Sequence, residues 1–501
     1  MYYVLRQQPP VSEAASQAAW EADFAKAIAD YMREIILLAR PTVGVYVSCD
    51  GVVCAAKRRQ QRLRRFKGPW IAAAESAVKA QAGDTAAAAS RSGWDQNALT
   101  PGTAFMAQLG TVLTREGARI AAREGIQVVV STTAEPGEGE HKLLRAMRAL
   151  TPAPRSCVIY GLDADLILLA MLLGTDTGAE VHLMREAQEF EVGGRGAEGA
   201  PAEWRCLSVR ELTRVLLPAG AGAAHVRDFV CGMSLLGNDF LPRSLTKTVR
   251  DDGIPALIAT LDHEVWTRGL HLVGRDGTVQ RDALAAIVGA WAATEDTDLL
   301  MAARDAARAA TRPAGIADSP AETAVREWSA QPARWAAVTR LLITEGRPDG
   351  LARRLAIYGA WRPGSAANYC AGVAWVWDYY SGRPVDQGWV FEEHLPPLWT
   401  DVVAWLRGTD SPVVLAPPIE HPEPLPEWLH LLAVLPMDSL RRLLPVTKHT
   451  LALSHPWYWP SQWSLFDVGR TQMWECEAVI PLIPERLLRS VVATVGSAAK
   501  K

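Results

Sequence analysis

Several features common in chains of this size are scarce or missing. The 7 cysteines (Cys49, Cys54, Cys157, Cys206, Cys231, Cys370 and Cys476) are odd in number and never form a Cys-x-x-Cys pair. That argues against a zinc site and against a disulfide framework, and it fits a reducing compartment, so a cytoplasmic location is expected. No apolar run reaches membrane-spanning length, and the N-terminus lacks the basic-then-apolar order of a secretory signal, so no membrane partner is expected. Positive charge is not in excess either: 52 Lys and Arg face 55 Asp and Glu, a net −3. A nucleic-acid partner must therefore be held by a local basic patch rather than by the field of the whole molecule. No fixed repeat is visible. What remains is a folded composition, 49% apolar and 21% charged, in a 501-residue chain too long for one ordinary core. Tryptophan is abundant: 19 residues, many between Trp361 and Trp474, which read as core packing or as a stacking surface for bases.

Residues 22–39 place apolar side chains at helical spacing, and Pro41 closes that helix. Three short β-rich runs follow at 43–49, 126–131 and 157–161, each leading into a helical stretch at 54–66, 138–150 and 164–173. This alternation predicts an α/β fold with a largely parallel sheet and flanking helices. Residues 70–92 and 300–333, rich in Ala, Gly, Ser and Arg, read as helical or mobile insertions. The second half is rich in Pro and Trp with few strands, which predicts a mostly helical region and a division into 1–250 and 251–501.

The acids cluster where strands end. Asp50 follows the first strand, Glu138 and Glu140 lie past the second, and Asp163 and Asp165 lie just past the third. In open parallel sheets the carboxyl ends of the strands line the ligand crevice, so these five acids are expected to converge. Clustered carboxylates suit hard cations such as Mg²⁺ or Mn²⁺. A glutamate in a helix's first turn is also ordinary, because it suits the dipole. Asp163 and Asp165, however, stand between an apolar strand and an apolar helix, where two charges call for a cation and one cap accounts for only one of them. Asp239, in Gly237-Asn238-Asp239-Phe240, adds a sixth acid in a setting that also reads as a turn.

A basic stretch begins seven residues after Asp50. Lys57, Gln61, Arg64 and Arg65 fall at i, i+4, i+7 and i+8 and so share one helix face. Such a face suits a phosphate: Arg offers bidentate contacts and Lys a point charge. Two metal ions beside a phosphate grip divide the work of phosphodiester hydrolysis, one ion serving the water and the other the leaving oxygen. The chemistry expected is that of a nuclease of single-stranded nucleic acid.

These motifs resemble one family. DGVVCAAKRRQQRLRRF (50–66) is similar to a block of the Xrn-type 5′→3′ exoribonucleases, Asp-Gly-Val-x-x-x-Ala-Lys-x-x-Gln-Gln-Arg-x-Arg-Arg-Phe. LTPGTAFM (99–106), PGEGEHK (136–142), YGLDADLILLA (160–170), HLMRE (182–186) and DFVCGMSLLGNDFLP (228–242) follow in the family's order. So do YCAGVAWVWDYYSG (369–382), WVFEEHLPP (389–397), LLAVLPMDSLRRLLP (431–445) and SLFDVGRTQMWECEAVIPLIPERLL (464–488). The resemblance implies a PIN/flap-nuclease-like core and processive removal of mononucleotides from single-stranded RNA bearing a 5′-monophosphate, by a monomer using two Mg²⁺ or Mn²⁺ ions. By matching position it makes Asp50, Glu138, Glu140, Asp163, Asp165 and Asp239 the metal ligands. It makes Lys57, Gln61, Arg64 and Arg65 the 5′-phosphate pocket, and Trp389 a base-stacking residue.

One departure stands out. The family's first segment carries a further metal-site Asp in an Asp-x-Asn setting and a stacking His, whereas this chain has no acid before Glu13. Three explanations are open: a true start upstream, a piece of a longer polyprotein, or a site that has lost a ligand. The last would leave a non-catalytic RNA-binding or scaffold protein on the same fold. A structure-specific DNA nuclease is the third reading, set back by the absence of a helix-hairpin-helix pattern.

Overall fold

The computed structural model describes residues 1–84, 93–161, 163–187, 203–249, 252–311, 319–330, 332, 364–408 and 415–498. The chain opens with α1 (Tyr2–Arg6) and α2 (Gln17–Ala39). Ser16 caps α2 by accepting from the Ala19 amide, and Trp20, Phe24 and Ile28 repeat every four residues to form its buried stripe. Arg40 ends it in the left-handed conformation, one residue before Pro41.

Strand β1 (Gly44–Ser48) leads into α3 (Ala55–Gln81), and α4 (Ala104–Glu124) leads into β2 (Gln127–Ser131). β1 and β2 pair in parallel from Gly44 opposite Gln127 to Ser48 opposite Ser131. α5 (Gly139–Ala149), β3 (Ser156–Tyr160), α6 (Asp165–Thr177) and β4 (Glu180–Glu186) follow. β3 and β4 are also parallel, and β5 (Trp204–Ser208) joins β4 antiparallel. α4 packs on β2, α5 on β1 and α6 on β4, so helices cover these strands as the alternating pattern predicts.

The sheet itself differs from expectation. The fold is α/β and helix-rich, with small sheets. Among the described residues β1–β2 and β3–β4–β5 form two separate sheets, and a third, antiparallel pair (Ser464–Phe466 with Glu477–Val479) lies late in the chain. β1 and β3 do not pair with each other, and β5 adds an antiparallel edge from residues 204–208, where no strand was expected.

α7 (Val209–Leu216), α8 (Ala223–Gly232), α9 (Gly253–Glu264), α10 (Arg281–Thr311) and α11 (Pro320–Ser329) continue the chain. α12 (Ser365–Ser381) matters most for the site. Of the two insertions singled out above, α3 runs on through residues 70–81, and α10 and α11 occupy much of 300–333; residues 85–92, 312–318, 331 and 333 lie outside the described residues. The largest apolar cluster joins Cys54, Leu144 and the α6 leucines to Tyr369, Val373 and Trp375 of α12 and on to Leu415, so the core runs across the expected boundary at residue 250. No described helix is long and apolar enough to cross a membrane.

Candidate metal and phosphate site

Two acidic loops are laced together by backbone. Gly51 N donates to Gly137 O at 2.8 Å, and Gly137 N donates to Val52 O at 2.8 Å. Gly51 permits this approach: a Cβ there would lie 2.0 Å from the Glu135 carbonyl oxygen. Ser48 Oγ donates to Gly139 O at 2.7 Å, and the Gly139 amide donates to Asp50 Oδ1 at 2.7 Å. Asp50 thus takes a hydrogen bond from the first amide of α5, where the helix dipole favours an anion.

The third loop carries Asp163 and Asp165. Arg185 of β4 holds it, donating from Nε to Gly161 O at 3.2 Å. Asp163 is exposed, whereas Asp165 opens α6 and is partly buried. The sixth acid is presented by a tight turn: Asn238 Oδ1 accepts from the Phe240 and Leu241 amides, both at 2.9 Å, which fixes the backbone around Asp239.

The structure brings these segments to one place. Lys57 Nζ sits between Glu138 Oε2 and Asp239 Oδ2, 2.6 Å from the latter, and Gln60 Nε2 donates to Asp239 Oδ1 at 2.9 Å. Burial pushes Glu140 well above the usual carboxylate range, with Glu138, Asp163 and Asp165 adding to it. Burial also raises Glu138, Asp50 adding and Lys57 opposing. Asp165 is pushed up to about 6 by burial and by Asp239. Burial works against the Lys57 charge, but Glu138 and Asp239 outweigh it and hold the ammonium above its ordinary range. These are acids packed more densely than one ammonium neutralises.

That surplus is the test of whether a divalent cation fits here. Ligand atoms of Glu138, Glu140 and His141 all lie within 4.8 Å of one another. Buried oxygens under mutual repulsion are what a hard cation relieves, so the donor set fits Mg²⁺ or Mn²⁺. His141 belongs to the group although its position after two glutamates did not mark it as a ligand. Its Nε2 is buried without a hydrogen-bond partner, and burial, with Lys57 and Arg148 nearby, pushes the ring down to about 3, leaving it neutral.

The basic residues of α3 divide by surroundings. Arg58 pairs with Glu485, and Arg62 donates to Ala433 O at 2.7 Å and to Tyr458 O. Both are buried and structural, on the side of α3 turned to the second half. Of the four residues expected to form a phosphate grip, Lys57 is paired with the acids, and the buried Gln61 Oε1 lacks a hydrogen-bond partner. Arg64 is exposed, and Arg65 donates to Asn97 Oδ1 at 3.1 Å. Trp389 calls for a correction: it is 8% exposed, stacks 5.1 Å from Trp375 and donates to Asn368 Oδ1 at 3.3 Å. Its ring is used in core packing, which leaves no open face for a base.

Two tyrosines, missed by sequence reasoning as His141 and Gln60 were, also reach the site. Tyr379 Oη donates to Glu138 Oε1 and Tyr380 Oη to Asp165 Oδ2, each at 2.8 Å. Both come from α12, more than 200 positions from their acids along the chain, and nothing local in WVWDYY announces such a contact.

An α/β framework that gathers six carboxylates at loop ends beside a basic helix suits metal-dependent phosphate-ester chemistry. Residues 2–187 match the family model "XRN 5'-3' exonuclease N-terminus", which supports an Xrn-type family. The chain is similar to a 5′-3′ exoribonuclease 2 of Emericella nidulans, 29% identical over 330 residues, 53% of this chain and 31% of the relative. It is similar to those of Kluyveromyces lactis (30% over 286 residues, 48% and 28%) and Saccharomyces cerevisiae (29% over 282, 48% and 28%). These matches thus span about three-tenths of the length of the curated relatives, at most 31% of the longest match quoted. Asp239, Tyr379 and Tyr380 lie beyond the family-model match.

Proposed function

We propose that this chain is a monomeric, cytoplasmic 5′→3′ exoribonuclease that releases mononucleotides from single-stranded RNA bearing a 5′-monophosphate. The observation that supports it most is the convergence of Asp50, Glu138, Glu140, Asp163, Asp165 and Asp239 around the start of α3, with Lys57 bridging Glu138 and Asp239. Two Mg²⁺ or Mn²⁺ ions on these acids would supply an activated water and charge relief at the leaving oxygen. The residues of the chain bind and orient: Gln61 and Arg64 grip the 5′-phosphate, Arg65 closes the pocket from its anchor on Asn97, and Lys57 shares its charge between phosphate and acids. A grip built from these few donors would favour one phosphate over the bulk and unpaired charge of a 5′-triphosphate.

The test compares ends. RNAs identical except for a 5′-monophosphate, 5′-triphosphate or 5′-hydroxyl are incubated with Mn²⁺ or Mg²⁺; the monophosphate is expected to be consumed first, and equal rates on all three contradict the pocket. A second reading, an RNA-binding protein without turnover, has one observation in its favour: the chain's own Lys57 ammonium already neutralises part of the cluster. It predicts metal-independent, 5′-phosphate-dependent binding that falls in Arg64→Ala, with intact RNA recovered.

A further inference from the structure

The ends of α12 and the acidic cluster meet in a way that the proposed chemistry does not itself require. Tyr379 and Tyr380 are neighbours in the last turn of α12, yet each reaches a different acid: Glu138 at the end of the loop after β2, and Asp165 at the start of α6. Consecutive helical positions diverge by about 100°, so the end of α12 sits over the gap between these two loops and spans it.

The phenols are held firmly. The Tyr379 ring stacks on Trp375 at 5.1 Å with an 18° tilt, lies 4.1 Å from His141, and meets Phe240 edge-on at 5.3 Å. Tyr380 is 2% exposed and touches Phe240 and His141. Each phenol engages one oxygen of its carboxylate: Oε1 of Glu138, whose Oε2 faces Lys57, and Oδ2 of Asp165. A carboxylate pinned through one oxygen has its rotamer chosen and its other oxygen aimed, as the hydrogen-bonded partners of metal ligands do generally.

We propose that Tyr379 and Tyr380 are positioning residues for a divalent cation, each fixing the rotamer of one carboxylate of the cluster that would hold the ion. The inference rests on the metal-binding part of the function proposed above and not on turnover. It also gives α12, from the second half of the chain, a direct part in the chemistry of the first.

Tyr379→Phe, Tyr380→Phe and the double variant keep both rings and remove only the hydroxyls. Mn²⁺ binding to the full-length chain is measured by calorimetry, alongside metal-free binding of 5′-monophosphorylated RNA and the Mn²⁺ dependence of nucleotide release. Each single variant is expected to weaken Mn²⁺ binding roughly 10-fold, the lower end for partners of metal ligands, and the double variant to weaken it further. RNA binding without metal stays at the wild-type level, and any activity lost returns at saturating Mn²⁺. Wild-type Mn²⁺ affinity in all three folded variants, even with a lowered melting temperature, overturns the inference, because a purely structural role moves stability alone. A wild-type chain that binds no Mn²⁺ overturns it as well. Weakened Mn²⁺ binding in the variants beside a wild type that releases no nucleotide supports the inference and contradicts the proposed activity.

Discussion

Arg62 and Arg64 stand two positions apart on α3 and have opposite surroundings. Arg62 is 2% exposed, lies over the Phe66 ring, and donates to two backbone carbonyls of the second half. Arg64 is exposed, on the face proposed to grip the phosphate. Arg62→Ala should therefore lower stability by about 2–4 kcal/mol, two charge-assisted hydrogen bonds lost in a buried place, whereas Arg64→Ala should leave the denaturation midpoint nearly unchanged. RNA affinity should show the reverse order once both proteins are folded. Denaturant titration and RNA binding on the same two variants check this; equal effects on stability contradict the division of α3 into two faces.

The acids give a pH dependence at the same scale. Asp165 is raised from 3.8 to about 6, and Glu138 and Glu140 are raised from 4.5. A carboxyl with a raised pKa binds its proton more tightly in the folded chain than in the unfolded one. Its favourable contribution is then complete below the ordinary carboxylate range and is lost as pH rises through the folded value. Without metal, the melting temperature should fall as pH rises above the ordinary carboxylate range, the Asp165 part of the fall being complete soon after about 6. Mn²⁺ should remove that slope, because its ligands must be deprotonated to bind. Melting curves in EDTA and in Mn²⁺ across this range should separate increasingly with pH; parallel curves contradict a cation site.

At the scale of elements, the site depends on how closely two loops approach. Gly51 lets the segment after β1 lie against Glu135 and Pro136, and this contact carries Asp50 to the start of α5. Gly51→Ala puts a methyl 2.0 Å from a backbone oxygen that cannot swing away. The expected cost is about 1–3 kcal/mol, typical of overpacking, with a loss of Mn²⁺ affinity as Asp50 and Glu138 part. Calorimetry and melting of this variant check both; a Gly51→Ala chain with unchanged Mn²⁺ affinity contradicts the lacing.

Elements are also where the sequence was most and least informative. The three strands and the helices after them lie within about two residues of where periodicity placed their starts, because their apolar runs are bounded by Gly, Pro and acids. Five of the six acids were legible from strand ends alone. The separation into two sheets was not, since strand pairing is a long-range choice that no local pattern encodes. Tyr379, Tyr380 and Gln60 escaped for the same reason: each acts through a partner more than 170 positions away. Trp389 was misread because an indole in the core and an indole on a binding surface look alike in sequence.

At the scale of the whole molecule, the two halves share one core and one site. The largest apolar cluster unites them, Arg58, Arg59 and Arg62 tie α3 to the late segments, and α12 reaches into the acidic centre. Separating the halves at residue 250 should therefore expose core and disorder the acids together. The central question for the molecule is whether that centre cleaves RNA from its 5′ end. The most direct measurement follows 5′-monophosphorylated RNA, labelled along its length, with the purified chain and Mn²⁺ or Mg²⁺, resolving products over time. Mononucleotides should appear from the first time points, vanish in EDTA, and fall by roughly two orders of magnitude or more in Asp165→Asn and Asp239→Ala. Intact RNA with a folded, Mn²⁺-bound wild-type chain, or release undiminished in both variants, would contradict it.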